Sequence, residues 1–303
     1  MYEKIGFIGL GAMGAPMSQN LLKKGYKLVV YDMAKDRMES IVTQGAARAQ
    51  SSREVAERSD IIITMLPSSP NVKEVILGSC GVIEGIKQGS VVIDMSTIDP
   101  LTTREIAKIL MDKGIDILDA PVARGVPAAI DGTLTIYVGG EESIYNKCKK
   151  ILEAMGSDIH YIGGSGTGEI VKIINNLVVA TTVCSLSEAL VLGVKAGVEP
   201  DVLFKALSTG SANSFVLQNH IKNSVLKGKF EKQVFSVDYM LKDLRLASVT
   251  AEKYHVPMYF CALACQAYET ARAAGYSERY HPVIIKPLEE LTGVEVRAEI
   301  NEK

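Results

Sequence analysis

The first half of the chain alternates short apolar runs with amphipathic stretches. The runs at 4–9, 27–32, 61–66, 91–95, 115–122 and 134–138 are rich in Ile and Val. Several are apolar at consecutive positions, as strands buried on both faces of a parallel sheet must be. Between them, 12–24, 36–44 and 102–113 carry apolar residues at helical spacing. Gly25, Gly45 and Gly114 stand just past their ends, where a left-handed C-cap is wanted. Strands alternating with helices predict βαβ units, and so an α/β domain with a Rossmann-type doubly wound sheet. After Ile162 the pattern changes. Residues 163–168 read GGSGTG, a glycine-rich hinge, and 169–196 read as one long helix, apolar nearly all round. Such a helix is expected to be buried between domains or subunits. The rest is helical: 201–208, 214–226, 236–254, 258–274 and 282–292, ending in a charged tail, VRAEINEK, expected to fray. The prediction is therefore two domains, 1–163 and 164–303, the second all-α and joined to the first by the long interdomain helix.

A length of 303 residues agrees with two domains at ~100–200 residues each. Lys plus Arg is 33 against 35 for Asp plus Glu, a net charge of −2. That balance excludes nucleic-acid or membrane partners held by bulk charge. The five cysteines, at 80, 148, 184, 261 and 265, form no CxxC pair, so neither a metal site nor a disulfide framework is expected. Free buried thiols in a reducing, cytoplasmic compartment are the simple reading. The start, MYEKIGFIGLGAMG, lacks the basic segment and long apolar run of a secretory signal. The most apolar helical stretch, 177–187, falls well short of the ~18 residues needed to cross a bilayer.

The chemistry begins at Gly9-Leu10-Gly11-Ala12-Met13-Gly14, a G-x-G-x-x-G that follows an apolar run and opens a helical one. Gly9 permits the tight turn, Gly11 the approach of a pyrophosphate, and Gly14 close packing of helix on strand. Asp32 ends the next predicted strand, at the distance of about 20 residues where an acid accepts from a ribose hydroxyl. Its carboxylate would repel a 2′-phosphate, and the next residue is Met33 rather than an arginine, so NAD is favoured over NADP. Lys35 and Arg37 lie close enough to leave some room for NADP.

Hydride transfer needs a proton partner. Tyr145 and Lys149 form a Y-x-x-x-K pair, but in a stretch that reads as a solvated helix face. His160, His220, His255 and His281 are well separated in sequence and lack an acid or cysteine cluster. Lys172 lies on an otherwise apolar helix, with Asn175 and Asn176 just beyond it. A buried ammonium is costly unless it has a partner or a task, and Asn176, four residues on, shares its face. Lys242-Asp243 reads on its own as an exposed charge pair.

The segments GLGAMGAPMSQNLL, DMSTIDP, DAPVARG, GTGEIVKIINN and LKDLRLA resemble, in order and over nearly the whole chain, the successive signatures of the β-hydroxyacid dehydrogenases. The resemblance implies a Rossmann domain, a long interdomain helix and an α-helical domain that builds a homodimer or homotetramer. It places the catalytic lysine on Lys172 and the substrate-gripping asparagine on Asn176. It places NAD contacts on Ala12, Met13, Asp32, Leu66, Pro67, Thr97 and Lys242. Where most of the family has Ser-Gly-Gly, this chain has Ala123-Arg124-Gly125. An arginine there resembles the 3-sulfolactaldehyde reductases, in which it serves the sulfonate. A guanidinium fork can hold two oxygens of a sulfonate or a carboxylate.

The expectation is an NADH-dependent reductase of a small anionic aldehyde, with Lys172 as acid. Arg124, Gly125, Val126, Asn175 and Asn176 would hold the anionic tail. The leading expected substrate is 3-sulfolactaldehyde, reduced to 2,3-dihydroxypropane-1-sulfonate. Carboxylate semialdehydes and β-hydroxy acids are the alternative. A catalytically silent NAD-binding interaction module is a further one, against which the presence of Lys172 argues.

Overall fold

In the computed structural model, residues 4–232 and 235–298 are described. The chain divides into two compact units, Met1–Lys172 and Ile173–Lys303, so the division falls inside the long helix. In the first unit, strands β1 (Lys4–Ile8), β2 (Lys27–Tyr31), β3 (Ala47–Arg48), β4 (Ile61–Thr64), β5 (Val91–Asp94) and β6 (Asp116–Asp119) are joined in parallel. Helices α1 (Gly14–Lys23), α2 (Lys35–Val42), α3 (Ser52–Glu57), α4 (Ser69–Leu77) and α5 (Pro100–Met111) make the crossovers. The sheet order is β3-β2-β1-β4-β5-β6, then β8 (Leu134–Gly139) and β7 (Val122–Ala123). Consecutive residues of one strand enter opposite apolar layers. Ile61 and Ile63 pack with Phe7, Met17 and Ile93, whereas Ile62 packs with Ile8, Val55 and Val92. This is why the strands read as unbroken apolar runs.

Three details differ from the sequence expectation. The run at 115–122 is two strands, β6 and β7, interrupted at Ala120-Pro121. Proline has no N–H to give to a ladder. The sheet is also mixed, because β8 runs antiparallel to β6 and β7. A further strand, β9 (Gly156–Gly163), pairs parallel with β8. It was illegible because Gly156, Ser157, Asp158 and His160 read as loop. Helices α6 (Gly125–Asp131) and α7 (Glu142–Leu152) complete the connections.

The long helix, α8 (Thr167–Lys195), is apolar over a longer stretch than the 177–187 run expected from the sequence. It contains an 18-residue window of mean hydropathy 2.0, long and apolar enough to cross a membrane by length and composition. Within one chain 33% of that window is buried. Ile174, Val178 and Leu192 remain exposed. The second unit continues through α9 (Pro200–Thr209), a π-helical segment (Val216–Val225), α10 (Val237–Lys253), α11 (Tyr259–Ala273), a 3-10 turn (His281–Ile284) and α12 (Ile285–Thr292). Nothing in the sequence marks the π-helical hydrogen bonding. The tail is docked as far as it is described, contrary to expectation. Val296 is fully buried and its N–H donates to Glu289 Oε1 at 2.9 Å. Arg297 grips both oxygens of Glu289 at 2.6 and 2.9 Å. Residues 299–303 lie outside the described residues.

Two of the separated histidines meet in this unit. The His220 and His281 rings lie 5.3 Å apart, His220 Nδ1 on Tyr280 Oη and His281 Nδ1 on Tyr268 Oη at 2.9 Å. Burial pushes His220 down to about 4, and burial followed by His220 holds His281 well below its ordinary value. A histidine whose folded pKa is depressed costs stability as pH falls below the unfolded value of about 6.5. Between pH 7 and pH 5, stability should fall by about 2 kcal/mol through His220 alone. The measurement is thermal unfolding at both pH values for the wild type and His220→Gln. The same pH dependence in both would remove His220 as its source.

Candidate active site

The glycine loop lies at the carboxyl end of β1, next to β4, where the strand order reverses. Ligands of doubly wound sheets bind at that position. Gly9 has φ +95, and a Cβ on it would come within 2.3 Å of Met65 O. A Cβ on Gly14 would come within 1.9 Å of Gly9 O, so α1 can approach the strand only through glycine. A Cβ on Gly11 would meet only Arg37 Nη1, at 4.0 Å, which leaves the loop open to a ligand. No side chain caps the start of α1 at Met13. The Asp32 carboxylate accepts from Leu10 N–H at 2.7 Å and from Ala34 N–H at 2.8 Å, with Arg37 at 3.7 Å. Each carboxylate oxygen keeps accepting capacity for a ribose hydroxyl. An open glycine cradle, an uncapped helix start and an oriented acid therefore fit a dinucleotide.

The next two strand ends are tied together. Asp94 Oδ1 accepts from Thr64 Oγ1 at 2.8 Å and from Ser96 Oγ at 2.5 Å, and Ser96 Oγ accepts from Leu66 N–H at 2.9 Å. Burial raises the Asp94 carboxyl, while the Ser96 and Thr64 hydroxyls oppose the rise. This network fixes the loop of Leu66 and Pro67 against the loop of Thr97.

Lys172 sits in the second turn of α8 and is 7% exposed. The start of that helix is fastened to the sheet. Asp119, the last residue of β6, accepts from Gly166 N–H at 2.7 Å and from Glu169 N–H at 3.1 Å. Glu169, itself fully buried, accepts from Ile98 N–H at 3.2 Å, next to Thr97. In the second unit Asn175 Nδ2 donates to Asn176 Oδ1 at 3.0 Å, and Asn176 Nδ2 donates to Asp243 Oδ2 at 2.5 Å. Lys242 Nζ lies 3.0 Å from Asp243 Oδ1, so this pair is only partly exposed, and Asp243 is buried. Asp243 thus joins two predicted site residues, Asn176 and Lys242. In the sequence Lys242-Asp243 stands out as a pair, but nothing there gives Asp243 a role of its own. Asp119 and Glu169 were missed as well. An acid ending a strand and an acid opening a helix were the available signals.

The turn after β7 carries the predicted anion grip. Arg124 adopts φ 80 and ψ −2, a left-handed conformation, and Gly125 follows at φ 70. Arg124 Nη2 lies 2.6 Å from Asp158 Oδ2 on β9, and Nη1 donates to Thr133 O at 3.4 Å. The predicted partner is thus already matched by an acid of the chain, in a pair 47% and 45% exposed. Val126 is half-buried in the first turn of α6.

The other candidates go elsewhere. Tyr145 is buried, stacked on Tyr161 at 5.3 Å, while Lys149 is exposed. Cys148 and Cys261 are buried free thiols, whereas Cys80 is exposed, contrary to the expectation for all five. Among the described residues there is no cluster of His, Cys, Asp and Glu able to hold a metal.

Residues 4–163 match the family model for the NAD binding domain of 6-phosphogluconate dehydrogenase. Residues 166–288 match the model for the NAD-binding region of NADP-dependent 3-hydroxyisobutyrate dehydrogenase. Among similar proteins is the 2-(hydroxymethyl)glutarate dehydrogenase of Eubacterium barkeri, 40% identical over 97% of this chain and 97% of that protein. The mitochondrial 3-hydroxyisobutyrate dehydrogenase of Mus musculus is 39% identical over 94% of this chain and 87% of its own length. The solved structure of Mycobacterium tuberculosis 3-hydroxyisobutyrate dehydrogenase with L-serine superposes with a TM-score of 0.86. It is 30% identical and covers 95% of this chain and 99% of that one.

Proposed function

This chain belongs to the β-hydroxyacid dehydrogenase family, and from that membership we propose that it reduces a small anionic aldehyde reversibly, with Lys172 handling the proton. It is an NAD-dependent oxidoreductase acting on CH–OH groups, of the hydroxyacid and semialdehyde dehydrogenase type. NAD supplies or accepts the hydride when bound on the glycine loop. The Lys172 ammonium donates a hydrogen bond to the aldehyde oxygen and then its proton to the forming alkoxide. In the oxidative direction the neutral amine of Lys172 accepts the hydroxyl proton. Arg124 and the backbone of Gly125 and Val126 are the proposed grip on the anionic tail, and Asn175 and Asn176 are proposed as substrate contacts from the family resemblance. Asp243 keeps the Asn176 amide and the Lys242 ammonium oriented. The observation that carries this reading is a lysine 7% exposed on an apolar helix, four residues before a buried asparagine on the same helix.

The acid group of the substrate is the finer question. A carboxylate is supported by the relatives, which are named for 2-(hydroxymethyl)glutarate and 3-hydroxyisobutyrate. A sulfonate, as in 3-sulfolactaldehyde, is supported mainly by Arg124. The test is NADH oxidation with a panel of sulfolactaldehyde, succinate semialdehyde, tartronate semialdehyde and uncharged aldehydes. Turnover confined to the anionic members is expected, and equal turnover of the uncharged ones would sink the anionic-substrate reading. Silence across the panel with NADH binding retained would favour an interaction module. We also propose a homodimer or homotetramer. The support is exposed apolar surface at Ile174, Val178 and Leu192 on α8 and at Tyr259, Phe260 and Leu263 on α11. A monomer mass by light scattering would remove that proposal.

A further inference from the structure

The start of α8 is anchored in an unusual way. An ordinary helix start is capped by its own Ser, Thr, Asp or Asn. Here the residue before the helix is Gly166, which has no side chain to offer, while Thr167 Oγ1 donates to Gly164 O and Ser165 Oγ makes no hydrogen bond. The cap comes instead from a carboxylate 47 residues away on another element. Asp119 Oδ1 takes the Gly166 N–H and Oδ2 the Glu169 N–H. The carboxylate is almost fully buried. Two glycines shape its cradle. A Cβ on Gly139 would stand 2.6 Å from both Asp119 oxygens, and one on Gly168 would stand 2.9 Å from Oδ2. Burial raises the Asp119 carboxyl, and the backbone N–H groups oppose that. Convergent N–H donors and the positive end of a long helix are the arrangement that keeps such a group ionised.

Asp119 also ends β6, and the chain runs from it through Ala120-Pro121 directly into β7 and the Ala123-Arg124-Gly125 turn. One carboxylate therefore fastens the helix of Lys172 to the strand that leads to the proposed substrate turn. Glu169 adds a second fastening, through Ile98 N–H, to the loop of Thr97. We propose that Asp119 is a positioning residue for the reaction, holding the Lys172 turn in register with the substrate turn. This rests on Lys172 being the proton donor. Misplacing a reacting group by about 1 Å costs on the order of 100-fold in rate. Asparagine at 119 offers one accepting oxygen and turns an NH2 group toward the remaining N–H donors. The helix start should then shift without loss of the cofactor site.

The experiment compares Asp119→Asn and the smaller Asp119→Ser with the wild-type enzyme. Expected is a fall of about 30- to 100-fold in kcat, with KM for the aldehyde and Kd for NADH within about threefold. On a Lys172→Ala background the same substitutions should lower the residual rate no further, because their effect passes through the lysine. A lower Tm with kcat unchanged per folded molecule overturns the inference, as does an equal, additive loss on the Lys172→Ala background. Failure of both variants to fold assigns the carboxylate to folding and overturns it too. Wild-type turnover by Lys172→Ala itself would instead remove the reading of Lys172 on which the inference stands.

Discussion

Replacing Lys172 by alanine should lower kcat by about 10²–10⁴-fold, the range supplied by a positioned general acid, while Kd for NADH stays near the wild-type value. The separation of the two effects follows from placement. The proposed cofactor cradle is the loop after β1 with Asp32 just past the end of β2, whereas Lys172 is carried by α8. Within the first unit the start of α8 is bonded to the end of β6 by Asp119 and to the loop of Thr97 by Glu169. Removing the side chain beyond Cβ leaves those backbone bonds in place. Lys172→Met, which keeps most of the side-chain volume, should be as inactive as Lys172→Ala. Steady-state kinetics, NADH fluorescence titration and thermal unfolding on one preparation decide the matter. Wild-type turnover by either variant would remove Lys172 from the chemistry. Joint loss of NADH binding would make it a cofactor residue instead.

Much of the candidate site stands out in the sequence because its parts are punctuated locally. Gly9, Gly11 and Gly14 announce a close approach of backbone to ligand, and Lys172 stands out because it interrupts an apolar helix. The strands of the first unit were legible because burial on both faces demands unbroken apolar runs. What stayed hidden is what depends on distant partners. Asp119 reads as one more acid until its oxygens are seen to accept the N–H groups of Gly166 and Glu169. Among the described residues β9 pairs with β8 alone, so nothing compels it to be uniformly apolar, and its glycine and polar residues imitate a loop. His220 and His281 are separated in sequence but become ring neighbours once the turn at 281–284 folds back. Arg124 was legible as a departure from the family turn. Its left-handed backbone and its pairing with Asp158 were not.

Arg124→Gly should raise KM for the anionic substrate by about 10- to 100-fold, the worth of a charge-assisted pair of about 1.5–3 kcal/mol, and leave Kd for NADH unchanged. Stability should move the other way. At φ 80 a residue with a Cβ is strained by about 1–2 kcal/mol, a strain that glycine does not feel. The surface pair with Asp158 that would be lost contributes about 0–1 kcal/mol. The variant should thus be as stable as the wild type or more so, while binding substrate worse. That combination is the mark of strain kept for function rather than for folding. The weakness of the Asp158 pair matters for the same reason. Both partners are nearly half exposed, so a substrate anion can take the guanidinium at small cost. Asp158→Asn should accordingly leave KM unchanged or lower it, since it removes a competitor for Arg124. Arg124→Lys tests the fork itself, because an ammonium is a point charge and cannot present two parallel N–H bonds. If Arg124 serves a sulfonate, the loss in both variants should be greater for sulfolactaldehyde than for the carboxylate semialdehydes. If it serves any anion, the losses should be equal. A drop in stability with KM unchanged would make Arg124 a structural partner of Asp158 and return the anion to the backbone of Gly125 and Val126.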